Sequence, residues 1–134
     1  MGGAMRWSAL LTAFGLALAA CAPTAPPTPT PKAGPPPAVK DQAAVEQGKQ
    51  LFVSKGCVAC HTVRDIPQAK GTVGPALDGV ASWPKIAGTI DNTPENLQKW
   101  IKDPQAMKPG TQMPTLGLTD DEAAKITAFL LTLR

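Results

Sequence analysis

An all-α domain of three main helices joined by long irregular loops is what this chain predicts, and three observations predict it. Three segments carry apolar residues at helical spacing behind recognisable start signals. No segment shows the β-branched alternation or the Asn-Gly turn that marks a sheet. Aromatic residues make up only 4% of the chain, with no Tyr, so the core is thin and needs a staple besides its own side chains.

The first helix is expected from about Asp41 to Ser54. Ala44, Val45, Gly48, Leu51 and Phe52 share one face, and Lys55-Gly56 ends it. The second opens at Thr93-Pro94-Glu95, where Thr93 suits the N-cap and Pro94 the first helical position. Leu97, Trp100 and Ile101 form its apolar stripe, and Pro104 stops it near Lys102 or Asp103. The third begins at Thr119-Asp120-Asp121-Glu122, a capping-box pattern with acids at the positive end of the helix dipole. Ala123, Ile126, Phe129, Leu130 and Leu133 give it a buried face. About 40 residues of loop separate the first two helices, more than a compact domain of this kind normally carries. A group in the middle, with the loops wrapped around it, would account for them.

The front of the chain reads differently. Residues 1–20 have the character of an export signal: Arg6, then a run from Trp7 to Ala20 that is apolar or small apart from Ser8 and Thr12. The run is short of the ~20 residues that span a bilayer. It ends Leu18-Ala19-Ala20-Cys21, which resembles the lipobox of bacterial lipoproteins. That resemblance implies cleavage before Cys21, lipidation of its thiol and stable membrane anchoring by two or more acyl chains. Ordinary signal cleavage with Cys21 incidental, and an uncleaved signal anchor, are the alternatives. Residues 21–40 then form the lipidated cysteine and a proline-rich linker. Eight prolines among residues 22–38 exclude a helix or a sheet ladder and favour an extended polyproline-II tether. At about 3.1 Å per residue it reaches on the order of 50 Å. Residues 41–134 are left as the folded head.

Charge limits the partners. The chain carries 13 basic and 10 acidic residues, a net +3, and Arg6, Lys32 and Lys40 precede the head. The head is therefore near neutral and has no basic run, which argues against nucleic acid.

The chemistry lies in Cys57-Val58-Ala59-Cys60-His61. Cys-Xaa-Xaa-Cys-His is the attachment signature of a c-type haem. Two thiols add to the two haem vinyl groups, the two intervening residues set the sulfur separation, and the histidine that follows reaches the iron from the same side. One covalent haem c is the expected cofactor, and its apolar surface is the missing staple. A redox Cys pair lacks its βαβ context here. A structural zinc site lacks a fourth ligand once Cys21 is set aside. A plain Cys57–Cys60 disulfide remains the other reading. His61 is the only histidine, so the second axial ligand points to methionine. Met1 and Met5 lie in the signal, leaving Met107 and Met113. Met113, in the loop Pro109-Gly110-Thr111-Gln112-Met113-Pro114, is the expected partner of His61 on the iron; Met107 is expected to pack or to lie at the surface.

These residues resemble the class I cytochromes c over roughly Ala43 to Leu133. The likeness rests on Gly48 to Phe52, Cys57 to His61, Gly74-Pro75-Ala76-Leu77, Trp100 and Gly110 to Pro114, taken in order. It is similar in particular to domains with a Gly-Thr-Xaa-Met-Pro loop, including those fused to oxidase subunit II. The resemblance implies the class I cytochrome c fold. It also implies that Gly48 and Phe52 cross the last helix at Phe129, and that the Pro75 carbonyl accepts the His61 Nδ1 proton. Leu77 and Trp100 are implied to line the haem, while Trp83 fits the surface or the propionate side equally.

The function expected is that of a membrane-tethered mono-haem electron carrier, not an enzyme. Met/His ligation favours Fe(II) and leaves no open position. A haem enzyme or gas sensor would need a distal acid–base residue, and no second histidine exists to serve. The alternative is a haem-bearing subunit of a larger dehydrogenase or oxidase complex. Partners are expected among membrane redox complexes and dehydrogenases, a terminal oxidase included, met by a monomer on the outer face of the cytoplasmic membrane or in the periplasm. No second Cys/His cluster and no pair of transmembrane segments accompanies the haem motif, so a free-standing haem domain is expected, and the likeness to domains fused to oxidase subunit II does not by itself make it an oxidase subunit.

Overall fold

The computed structural model describes residues 41–134. The expected signal (1–20), the lipidated Cys21 and the linker up to residue 40 lie outside the described residues. Among the described residues four helices form: α1 (Gln42–Ser54), α2 (Pro94–Lys102), the short α3 (Pro104–Met107) and α4 (Asp120–Leu130). Two single-turn 3₁₀ segments lie at Cys57–Ala59 and Val80–Ser82.

Each long helix starts where its side-chain cap dictates. Asp41 Oδ1 accepts from the Ala43 and Ala44 amides, at 3.0 and 3.1 Å, and Thr93 Oγ1 accepts from Asn96. Thr119 and Glu122 complete a reciprocal capping box at the start of α4. At the other end of α1, Gly56 takes φ +83°, a left-handed turn that frees the chain to swing into the Cys57 segment.

The core forms where α1 and α2 both pack on α4. Gly48 is buried in this crossing, and a Cβ there would stand 1.9 Å from the Lys125 carbonyl oxygen and 3.0 Å from Phe129 Cβ. One turn on, the Phe52 and Phe129 rings meet edge to face, centroids 5.7 Å apart. Ala123, Ile126 and Leu130 extend the buried face of α4. Leu133 falls beyond the helix end and is half-buried, because α4 stops at Leu130; its carbonyl ties back to the Ala81 amide at 3.0 Å.

Two features depart from the sequence expectation. Pro104 stops α2 and also opens α3, where its fixed φ and missing N–H suit the first helical position, with Asp103 as the cap accepting from Ala106. The long loop contains a two-stranded antiparallel pair, β1 (Lys85–Ile86) with β2 (Ile90–Asp91). Ala87 at φ +50° and Gly88 at φ +83° turn the chain between them. Asn92 holds this loop from within: its Nδ2 donates to the Val80 and Trp83 carbonyls at 2.7 and 2.9 Å.

Ion pairs stitch the helix ends. Lys102 pairs with Asp120, joining α2 to α4, and Lys55 reaches Glu122 at 2.7 Å, joining the end of α1 to the start of α4. The Lys55 ammonium, followed by the Thr119 amide, holds the Glu122 carboxyl below its ordinary value of 4.5. A carboxyl depressed in the folded state stabilises the fold above the unfolded-state value, and loses that contribution as pH falls through the folded one. Parent and Glu122→Gln should therefore differ in denaturation midpoint above about pH 5, and the difference should shrink as pH falls below the ordinary carboxyl value. A pH-independent difference would show that the pair adds nothing.

Candidate functional site

The turn after α1 presents both thiols and the histidine. The Cys57–Ala59 3₁₀ turn closes with Cys60 N–H and His61 N–H both donating to the Cys57 carbonyl, at 3.2 and 3.0 Å. One tight turn thus sets Cys57, Cys60 and His61 on the same side. Residues 71–77 strap across this turn through the backbone: Gly71 N–H donates to Val58, Gly74 N–H to Cys60 at 2.7 Å, and Leu77 N–H to Thr62 at 2.8 Å. The Thr62 hydroxyl adds a bond to the Gly71 carbonyl at 2.8 Å.

The strap fixes the imidazole. His61 Nδ1 lies 2.8 Å from the Pro75 carbonyl oxygen. A carbonyl only accepts, so Nδ1 carries the proton and Nε2 keeps its lone pair for a metal. Gly74 passes so near that a Cβ on it would stand 2.4 Å from His61 Cε1, and one on Gly71 would stand 2.3 Å from the Ala59 carbonyl oxygen. The sequence pattern gives Gly74 no role of its own and does not single out Gly71. Their signal is a close approach of two loops, which no local pattern records.

Burial pushes the Cys57 thiol up to about 11. It is therefore a neutral thiol at neutral pH. Among the described residues no group of three or more His, Cys, Asp or Glu side chains could hold a metal ion.

Cys57, Cys60, His61, Pro75, Leu77, Trp100 and Met113 all line one apolar cavity of about 310 Å³, within the ~300–1,000 Å³ range of ligand pockets. Leu77 is buried and Trp100 half-buried on its wall. Trp83 is half-buried on the wall as well, so it is not simply a surface residue. Met113 reaches the cavity from the loop after α3, whereas Met107, at the end of α3, is not on its wall. Val73, 65% exposed, also lines this cavity.

A family model described as Cytochrome c matches residues 45–134, which is this whole assembly of helices, strap and cavity. The chain belongs to the cytochrome c family. The cytochrome is 41% identical over 88 residues to cytochrome c-551 of Ectopseudomonas mendocina, covering 65% of this chain and 98% of that protein. It is 35% identical over 102 residues to cytochrome c oxidase subunit 2 of Bacillus sp. (strain PS3), covering 73% of this chain. It spans only 28% of that subunit's length, and the same holds for the other oxidase subunits it matches, at 26 and 27%. In fold it is similar to the c-type cytochrome SorU from Sinorhizobium meliloti, with a TM-score of 0.50 at 23% identity, over 69% of this chain and 93% of that one. The cytochrome thus has the all-α class I architecture. Its family implies a haem c cofactor and electron transfer in place of catalysis.

The residues present fit that cofactor. An apolar cavity is edged by two free thiols and by an imidazole with an available Nε2, and a thioether sulfur stands on its wall.

Proposed function

We propose that this cytochrome is a membrane-tethered one-electron carrier holding one covalent haem c. Cys57 and Cys60 would supply the thioether bonds, His61 Nε2 and Met113 Sδ would hold the iron, and Leu77 and Trp100 would form the walls. The bound haem supplies a reversible Fe(III)/Fe(II) couple. The observation that carries the reading is the convergence of two thiols, an oriented imidazole and a methionine on one apolar cavity.

The chain's own contribution is rigidity. The Pro75 carbonyl fixes the tautomer and orientation of His61 and raises its basicity. The backbone strap from Gly71 to Leu77 holds the Cys57–His61 turn. If His61 and Met113 held the iron, these fixed side chains would leave little to rearrange between oxidation states, and Met/His ligation would favour the reduced form. The apolar walls keep water from the centre. Val73 and the thiol edge offer a small contact of the kind that brief redox encounters use.

Membrane attachment rests on Leu18-Ala19-Ala20-Cys21 and the proline-rich segment after it. Lipidation of Cys21 would confine the head to the outer face of the cytoplasmic membrane or to the periplasm and raise the local concentration of partners there. Membrane redox complexes and dehydrogenases are the partner class. A terminal oxidase is favoured among them by the likeness to oxidase subunit 2.

A pyridine haemochrome spectrum should be of the c type, with haem retained through acid–acetone extraction. Extractable haem would end the covalent assignment. In membranes, Cys21→Ser should release the protein to the soluble fraction; full retention would end the lipid anchor.

A further inference from the structure

The loop that delivers Met113 has no regular structure, and α3 and its flanks hold it. Asp103 Oδ1 accepts from the Thr115 hydroxyl at 3.1 Å. Lys108 Nζ donates to the Ala87 carbonyl at 2.8 Å, across the cavity margin. The central anchor is Gln105. Its Nε2 donates to the Thr111 carbonyl at 2.7 Å and to the Met113 carbonyl at 3.0 Å, while its Oε1 accepts from the Gly110 amide at 3.2 Å.

The orientation of this amide is fixed by its partners: two carbonyls can only accept and the Gly110 amide can only donate, so a flipped amide would break all three bonds. Gln105 is exposed and adds nothing to the apolar core. One side chain therefore closes the loop from Gly110 to Met113 on itself, and it alone of the three anchors bonds the Met113 backbone.

We infer that Gln105 is the positioning residue for the axial methionine, setting how readily the Met113 sulfur leaves the iron. The inference rests on Met113 being the ligand. An external ligand reaches the iron only when Met113 has let go, so its apparent affinity scales with the open fraction of this loop. Three neutral hydrogen bonds lost from the closed form alone should raise that fraction about tenfold or more.

The test uses the full-length haem-loaded protein and titrates the ferric form with imidazole. Gln105→Leu keeps the bulk and removes all three bonds; Gln105→Glu keeps the acceptor for Gly110 and sets a carboxylate against two carbonyls. Both should bind imidazole about tenfold tighter than the parent or more. Thr119→Ala removes the α4 cap and serves as the control for general loosening; its imidazole affinity should match the parent's. Unchanged affinity in both Gln105 variants, or an equal rise in Thr119→Ala, would overturn the role. Met113→Ala separates the two readings. If it keeps the methionine–iron charge-transfer band, the ligand assignment falls and the inference falls with it. If it loses the band while the Gln105 variants bind imidazole like the parent, only the role of Gln105 is lost.

Discussion

Replacing Met113 with Ala in the haem-loaded protein should abolish the methionine–iron charge-transfer band and lower the reduction potential sharply. Met113 is half-buried on the cavity wall, and the only other methionine among the described residues, Met107, is not on that wall. No second histidine can replace the lost sulfur, because His61 is the only one in the chain. Water or an added ligand would therefore take the position. Thioether ligation stabilises the reduced iron, and axial ligands shift haem potentials over a range of roughly 0.8 V. The fall should be a substantial part of that range, read by spectroelectrochemical titration. Met107→Ala should keep both the band and the parent potential. A band that survives Met113→Ala but not Met107→Ala would reverse the assignment.

Replacing Gly48 with Ala should destabilise the fold by about 2–4 kcal/mol, although the same change in an open helix gains about 1 kcal/mol. The sign is decided at the α1/α4 crossing. An added Cβ would stand 1.9 Å from the Lys125 carbonyl oxygen. That atom belongs to the backbone of a capped helix and cannot rotate away as a side chain would. The helices must separate, and the Phe52–Phe129 contact one turn away opens with them. Denaturant unfolding of parent and variant would measure the loss. A variant as stable as the parent, or more so, would mean that the two helices do not cross at Gly48.

Gly48 stands out in the amino-acid sequence because α1 has local start and stop signals, whereas Met113 stands out because so few methionines are present. Asp41, Thr93 and Thr119 cap backbone amides two or three residues away, so short stretches of sequence suffice to place the three long helices. The haem motif is local too, since the spacing within five consecutive residues carries its chemistry. The β pair is not legible in this way. Its strands are two residues each, too short for alternation to show, and its turn places Ala87 in a left-handed conformation that Ala does not advertise. Short α3 is hidden by Pro104, which reads equally as the end of one helix and the start of the next.

Residue identity and short-range spacing are enough for the class of fold, and they alone carry the proposed attachment motif and the proposed choice of methionine over histidine as the second iron ligand. How the site is held depends instead on contacts made in three dimensions. Gly71 and Gly74 admit the strap under which the Cys57–His61 turn sits, Pro75 fixes the imidazole proton, and Gln105 closes the loop behind Met113. Apart from the bonds within that loop, these contacts join segments distant in the chain, through backbone carbonyls and missing Cβ atoms that every sequence possesses. Such features become specific only when folding brings two segments within hydrogen-bond distance.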